Sequence, residues 1–200
     1  MKNILLIFSA AFLTLSCSSD SSQNESQEIS PAQRTVNQSI AFHGMENLDQ
    51  AALAFQFRDM FYTYEMKNGR YEYTRTQTDS IGQQVIDRLT NEGLIRLTNG
   101  DSTALKEEKR AAYARSVNSV IYFFRLPYGL NDEAVIKSYQ GETEIKGKTY
   151  HEVKITFEKS GGGEDYEDVF LYWFDVEDHS MDYLAYLYHT DGGGMRFREA

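Results

Sequence analysis

The sequence predicts an α+β fold in which two helices pack on an antiparallel β-sheet. The chain of 200 residues contains 14 Tyr and 12 Phe, and most of them alternate with polar residues, as in strands with one covered face. Two segments, 31–43 and about 104–124, instead repeat apolar residues at helical spacing. About 170 residues follow the N-terminal region, which is enough for a single domain with its own core.

The first helix is predicted to begin at Pro31, because Ser30 can cap the free amides and proline suits the first helical position. Its apolar face is formed by Ala32, Val36 and Ile40. Gly44 can end the helix in a left-handed turn. His43 lies in the last turn, where the helix dipole favours a protonated imidazole. A structural role and a ligand contact both remain open for this histidine.

The clearest local signal is a β-hairpin around Asn68-Gly69, since both residues tolerate the positive φ of a two-residue turn. This turn sets the strand register. It pairs Met66 with Tyr71, Tyr64 with Tyr73, and Tyr62 with Arg75 on one face. The other face is mostly polar, so we expect the tyrosine face to be covered.

Six more strands are predicted around the second helix, at 81–89, 94–98, 134–145, 150–158, 169–174 and 181–189. The second helix carries an apolar stripe, ends before Pro127, and is expected to lie across the sheet. The segment 169–174 is apolar on both faces, which indicates a central strand.

Two glycine triplets, 161–163 and 192–194, are expected to meet at one rim of the sheet. If residue 174 pairs near residue 182, Asp168 lies near Tyr188 and Gly163 near Gly193. Glycines at a rim permit positive φ, a bulge or the close approach of a ligand. The candidate rim residues are Gly163, Asp165, Asp168, His189 and Gly193. Two interpretations remain open, flexible loop ends and a rim that contacts a ligand. A third is a divalent cation bound by the acidic loop EDYED, residues 164–168.

Residues 1–16 are predicted to be a lipoprotein signal peptide, with Cys17 as the lipidated residue. The apolar run is far shorter than the ~20 residues that a membrane-spanning helix needs. Cys17 is the only cysteine, so an intramolecular disulfide is excluded. The stretch Thr14-Leu15-Ser16-Cys17 resembles a bacterial lipoprotein signal, although Thr14 departs from the usual leucine. The alternative is an ordinary cleaved signal with a spare thiol.

The segment 17–30 is predicted to be a flexible tether, because serines and acids dominate it. A tether of this composition spans roughly 20 Å. Without residues 1–16 the chain has 19 basic and 30 acidic side chains, so its surface repels nucleic acid and anionic head groups, and neither is expected as a direct partner. We expect a monomer. No Gly-rich phosphate loop, Gly-x-Ser-x-Gly elbow, zinc-protease motif or EF-hand loop is present, so no cofactor is expected.

Several segments together resemble a family of Gram-negative envelope lipoproteins of unknown function, which are similar to the lipoprotein carrier and receptor proteins LolA and LolB. These segments are the helix ending in His43-Gly44, the tyrosine hairpin, Tyr139-x-Gly141 to Gly147-Lys148, GGGEDYEDVFLYW and DYLAYLYHTDGGGMRFREA. The resemblance covers about residues 33–200. It implies a strongly curved, unclosed sheet, a half-barrel, with helices on its concave face and an apolar cavity between them.

The resemblance also implies a cellular location for the protein and an extension of its domain beyond residue 200. It implies a lipid anchor in the outer membrane, with the body on the periplasmic or the surface face. Members of the family continue for roughly another thirty residues of sheet, a few strands of typical length. The domain 31–200 is therefore expected to be incomplete at its C-terminus.

Two function classes remain. The first is a binding module that receives a lipid, an acyl chain or another apolar ligand. Its candidate lining is Tyr62, Tyr64, Tyr71, Tyr73, Val117, Ile121, Phe124, Trp173 and Tyr186. The alternative for each of these residues is packed core. The second class is a hydrolase or lyase with its site at the glycine rim, and no catalytic residue can be assigned to it.

Overall fold

The computed structural model describes residues 29–161, 166–189 and 192–199. The predicted signal peptide, Cys17, the tether up to residue 28, and the rim residues Gly163 and Asp165 lie outside the described residues.

Helix α1 (Pro31–Phe42) begins where its capping signals place it and ends one residue before the predicted end. The Ser30 hydroxyl accepts a hydrogen bond from the backbone N–H of Gln33 at 3.2 Å, as an N-cap does. Gly44 follows with a φ of 66°, a left-handed conformation that glycine adopts without strain.

Six strands precede the second helix and form one antiparallel sheet in sequential order, here called the first sheet. They are β1 (Ala52–Phe57), β2 (Met60–Lys67), β3 (Arg70–Thr78), β4 (Gln84–Thr90), β5 (Gly93–Thr98) and β6 (Asp101–Thr103). Helix α2 (Glu107–Phe124) then crosses this sheet and contacts β3, β4 and β5.

Five strands follow α2 and form a second antiparallel sheet, with β7 and β11 at its edges. They are β7 (Val135–Ile145), β8 (Lys148–Phe157), β9 (Val169–Asp175), β10 (Met181–Tyr188) and β11 (Gly194–Glu199). The predicted α+β class with two helices and unclosed antiparallel strands is confirmed. The strands are divided between two sheets because α2 and a short 3-10 turn interrupt the chain between β6 and β7.

Both predicted registers are confirmed. In the hairpin β2–β3, Tyr64 pairs with Tyr73 and Tyr62 with Arg75. In β9–β10, Leu184 pairs with Tyr172, and the register shifts by one residue near Met181. The tyrosine face of the hairpin is covered as predicted, since Tyr64 and Tyr73 are buried.

Residues 101–103 depart from the prediction. The segment 99–103 offers a turn and several helix N-caps before the helix predicted at about 104, but residues 101–103 form β6 and pair with β5. The helix therefore begins at Glu107, three residues later. Pairing with a neighbouring strand outweighs the local capping signals of this segment.

The core consists of two apolar clusters. In one, α2 packs Val117 and Ile121 on the tyrosines of the first sheet. In the other, α1 packs Val36 and Ile40 on the inner face of the second sheet. Met45 and Tyr128 contact both clusters and so join the two parts. No helix in the described part of the chain has both the length and the apolar content of a membrane span.

Candidate ligand-binding site

Seven of the nine predicted lining residues lie together in the cluster between α2 and the first sheet: Tyr62, Tyr64, Tyr71, Tyr73, Val117, Ile121 and Phe124. Strand alternation brings the tyrosines to one face of β2 and β3, and the helical repeat brings the other residues opposite them. The rings of Tyr64 and Tyr73 stack at 5.3 Å, and those of Tyr71 and Tyr73 at 4.6 Å. The rings fill the space between helix and sheet.

The buried tyrosines of this cluster remain protonated. Burial raises the pKa of Tyr73 and that of Tyr64 above the ordinary value. The Tyr64 hydroxyl donates a hydrogen bond to the carbonyl oxygen of Leu48 at 3.1 Å. These phenols therefore act as neutral packing groups with a satisfied polar end.

The other two predicted lining residues lie on the second sheet. Tyr186 belongs to the α1 cluster, and its ring stacks on Phe170 at 5.1 Å. Trp173 lies on the outer face of β9, where its Nε1–H donates to Glu152 at 2.9 Å. Trp173 therefore does not line the interior. β9 is apolar on both faces, so alternation could not distinguish them.

A surface depression with a volume of about 1040 Å³ lies where the first sheet meets the start of α2. This volume is comparable with the upper end of the roughly 300–1,000 Å³ that small-molecule pockets occupy. The depression is bounded by the β2–β3 turn, the β4–β5 turn and the connection from β6 to α2. Its larger apolar side chains are Tyr71, Leu94, Ile95 and Leu105. Through Tyr71 the depression reaches the stacked tyrosines.

Charged side chains of both signs surround this apolar lining. The basic ones are Lys67, Arg70, Arg88, Arg96 and Arg110, and the acidic ones are Glu65, Glu72, Glu92 and Glu107. Three of the arginines form exposed pairs with these glutamates: Arg70 with Glu92, Arg88 with Glu72 at 3.7 Å, and Arg110 with Glu107 at 3.4 Å. Exposed pairs contribute only about 0–1 kcal/mol, so a ligand can displace either partner.

A buried ion-pair network lies behind the depression, and the sequence analysis did not identify it. Asp87 is fully buried and accepts hydrogen bonds from Arg75 at 2.6 Å and from Arg96 at 2.7 Å. Burial opposes ionisation of Asp87, but the hydrogen bonds from Arg96 and Arg75 outweigh it and lower the pKa. The Arg96 guanidinium also lies 3.6 Å from the ring centre of Tyr113 on α2.

A sequence signal for this network did exist. Alternation along β4 places Asp87 on the same face as Val85 and Leu89, both of which are buried. The hairpin register had already placed Arg75 on the covered face. A carboxylate on a covered face next to an arginine predicts a buried pair.

The described residues of the glycine rim have a structural role. The backbone N–H of His189 donates to the Asp168 carboxylate at 3.2 Å, so the two strand ends meet as predicted. Gly192, Gly193 and Gly194 all have positive φ. A Cβ at Gly194 would lie 3.0 Å from the Tyr188 hydroxyl, so a larger residue there would require that ring to shift. Gly193 and Gly194 thus serve the turn and its packing.

His43 follows α1 directly and connects it to the second sheet. Its Nε2 accepts a hydrogen bond from the backbone N–H of Met181 at 3.2 Å. Burial lowers the pKa of this imidazole, although Asp182 and Asp178 act in the opposite direction. The structural role considered for His43 is therefore the one that its contacts show. The lowered pKa favours the neutral imidazole, which is the form that can accept this hydrogen bond, whereas the helix dipole suggested a protonated ring.

No group of three or more His, Cys, Asp or Glu side chains among the described residues is arranged to hold a metal ion.

Comparison with known proteins defines a family. The model of a family of unknown function, DUF6503, matches residues 2–200. The chain belongs to this family. No curated protein matches the sequence.

Two solved structures are similar to parts of this fold. The lipoprotein LppX of Mycobacterium tuberculosis is 13% identical, with 84% of this chain and 92% of LppX covered and a TM-score of 0.33. MucB is 17% identical, with 84% of this chain and 56% of MucB covered and a TM-score of 0.31. Both TM-scores are low, so the fold class rests on the strands and helices described above.

Proposed function

We propose that this protein is a lipid-anchored envelope lipoprotein whose body binds an amphipathic ligand in the 1040 Å³ depression. The observation that carries the proposal is the composition of the depression. Apolar side chains, among them Tyr71, Leu94 and Leu105, lie beside a ring of charged ones. A ligand with an apolar chain and a charged head group matches both parts.

The charge balance favours an anionic or zwitterionic head group. The depression has five basic and four acidic side chains, whereas the whole chain has 20 basic and 30 acidic ones. The depression is therefore a comparatively positive place on an acidic protein. An anionic head group can replace the glutamate partner of Arg88 or Arg110, since those pairs are exposed and weak.

The apolar part of the ligand would lie against Tyr71. Its ring is half-buried and stacks on Tyr73, which belongs to the cluster predicted to line the ligand cavity. Because rings fill that cluster, a ligand chain lies along it at Tyr71 or enters by displacing rings. Binding of an acyl chain is the favoured case, because a flexible chain fits a partly open apolar surface.

The proposed location rests on the N-terminal sequence. A short apolar run followed by the only cysteine supports lipidation at Cys17 after removal of residues 1–16. Two or three acyl chains hold a protein stably on a bilayer. We propose the Gram-negative outer membrane as the site of anchoring, on either the periplasmic or the surface face, with a single domain beyond the tether.

The ligand proposal is tested by thermal unfolding of the mature chain carrying Cys17→Ser, with palmitate as the probe. Palmitate should raise the melting temperature, and its uncharged methyl ester should raise it less. Arg110→Glu should abolish the palmitate shift. Arg58→Glu, at the opposite end of β2, serves as the charge-matched control and should keep it.

Native mass spectrometry of the same chain purified from a bacterial envelope should show bound lipid. If no lipid is bound and palmitate produces no shift in the unsubstituted chain, ligand binding at the depression is wrong.

A further inference from the structure

The face of the second sheet that points away from the helices carries an apolar patch. We call it the outer apolar patch, formed by Val169, Leu171, Leu187, Met195 and Phe197. Met195 is 78% exposed, Phe197 54% and Leu187 43%. A sheet with one covered face normally carries polar side chains on the other. Exposed apolar patches usually mark interaction sites.

Strand register makes the patch continuous. Met195 pairs with Leu187, and Leu187 pairs with Val169. One row further along, Phe197 and Leu171 both pair with Ala185. Adjacent rows on one sheet face lie within side-chain contact, so these residues form one surface.

The tether enters the body at the same end of the sheet. Gln33, in the first turn of α1, donates a hydrogen bond to Asn131 at 2.7 Å, and Asn131 lies four residues before β7. β7 begins next to the end of β8. Val169 at the start of β9 and Leu187 near the end of β10 lie at this same end of the second sheet. Residue 29, where the described chain begins, therefore lies near the end of the second sheet that carries Met195 and Leu187, and the segment 17–28 precedes it. A chain of that length and composition spans roughly 20 Å.

We propose that the outer apolar patch docks on the surface of the bilayer that holds the Cys17 lipid. This inference rests on the proposed lipid anchor. A short tether keeps the body near the bilayer at an effective concentration on the order of millimolar, so a weak apolar contact suffices to orient it. Side chains such as Met195 and Phe197 enter the boundary between head groups and acyl chains.

The charge of the protein restricts the kind of bilayer. The chain has a formal net charge of −10, which repels anionic head groups. Docking is therefore expected on zwitterionic lipid and is driven by apolar contact. Trp173 borders the patch, with its ring 6.1 Å from that of Phe197. Tryptophan side chains favour the membrane interface.

Trp173 also provides the measurement, since it is the only tryptophan in the chain. The mature chain is coupled through Cys17, its only cysteine, to a maleimide lipid in phosphatidylcholine vesicles with brominated acyl chains. We expect the bromine atoms to quench Trp173 fluorescence in the tethered protein. Leu187→Glu should abolish this quenching. Leu53→Glu is the matched control, because Leu53 is 42% exposed on the first sheet and lies outside both the patch and the depression, and it should leave the quenching unchanged.

Because the coupling is chemical, the outcome does not depend on natural lipidation of Cys17 or on the ligand depression. Absence of quenching in the tethered protein overturns the docking proposal and leaves both other proposals in place. Equal quenching in Leu187→Glu also overturns it. If circular dichroism shows that Leu187→Glu is misfolded, Phe197→Glu on the edge strand replaces it.

Sedimentation of the untethered chain tests the competing occupant, a second copy. A dimer that Leu187→Glu dissociates would assign the patch to self-association and overturn docking on lipid.

Discussion

Asp87 neutralises the buried positive charges of the first sheet. Its carboxylate is the common partner of Arg75 and Arg96, whose side chains are also largely buried. The three residues occupy neighbouring positions on β3, β4 and β5. Removing one member of a buried pair leaves the other charges without compensation, and that cost exceeds the net contribution of the intact pair.

We therefore predict that Asp87→Ala lowers the free energy of unfolding by about 3–5 kcal/mol, measured by urea denaturation. Glu72→Ala removes the exposed partner of Arg88 and should cost about 0–1 kcal/mol. If the two variants lose similar, small amounts of stability, the buried network does not have the importance assigned to it.

His43 provides a pH-dependent contact between α1 and β10. Only the neutral imidazole can accept the hydrogen bond from Met181, and burial lowers the pKa of His43 from its ordinary value of 6.5. The unfolded chain therefore takes up the proton at a higher pH than the folded chain. The stability that this contact contributes is fully present above about pH 6.5 and is lost as the pH falls through the folded-state value.

The prediction is that the difference in unfolding free energy between about pH 7.5 and about pH 5 becomes smaller in His43→Gln, which keeps an acceptor but cannot titrate. The same substitution at the exposed His189 is the control and should leave the difference as it is in the unsubstituted chain. An unchanged difference in His43→Gln would contradict the assignment.

At the scale of elements, strands and turns with strong local signals were predictable. Asn68-Gly69 set the register of β2–β3, and the side chains that this register placed on one face are covered. The apolar runs of β9 and β10 gave their pairing, and that pairing brought Asp168 next to His189. In each case a period of two residues and one short turn determine the arrangement.

Elements that depend on distant partners were not predictable. Residues 101–103 carry helix-capping signals, yet they pair with β5 because that strand lies alongside them. Trp173 belongs to a strand with two apolar faces, so its side could not be derived from its own segment. The division into two sheets depends on the path of α2, which no local pattern specifies.

The candidate site shows the same limit. Seven of the predicted lining residues share one cluster because alternation and helical repeat are local properties. The depression itself is formed by three separate connections, and of the predicted lining only Tyr71 belongs to it. Its charged residues come from two turns and the strand ends beside them, the first turns of α2 and the interior of β4 and β5, and the pattern of each segment carries little information about the others.

At the scale of the whole molecule, the two proposed surfaces lie on different sheets. The outer apolar patch belongs to the second sheet, and the depression is formed by the first sheet and the start of α2. Docking through the patch therefore leaves the residues of the depression free to bind a ligand. The protein would hold its site beside the membrane and still expose it.

Both surfaces act at a membrane only if Cys17 carries lipid, which leads to the last prediction. Cys17→Ser should move the protein from the membrane fraction to the soluble fraction of the envelope, because the outer apolar patch alone gives weak, reversible binding without a tether. Ser18→Ala, handled in the same way, should remain in the membrane fraction. Mass spectrometry of the unsubstituted protein should show Cys17 as the acylated N-terminus.

If Cys17→Ser stays with the membrane, adding Leu187→Glu decides the reason. Release would show that the patch binds lipid without an anchor, and retention would show that neither feature holds the protein there.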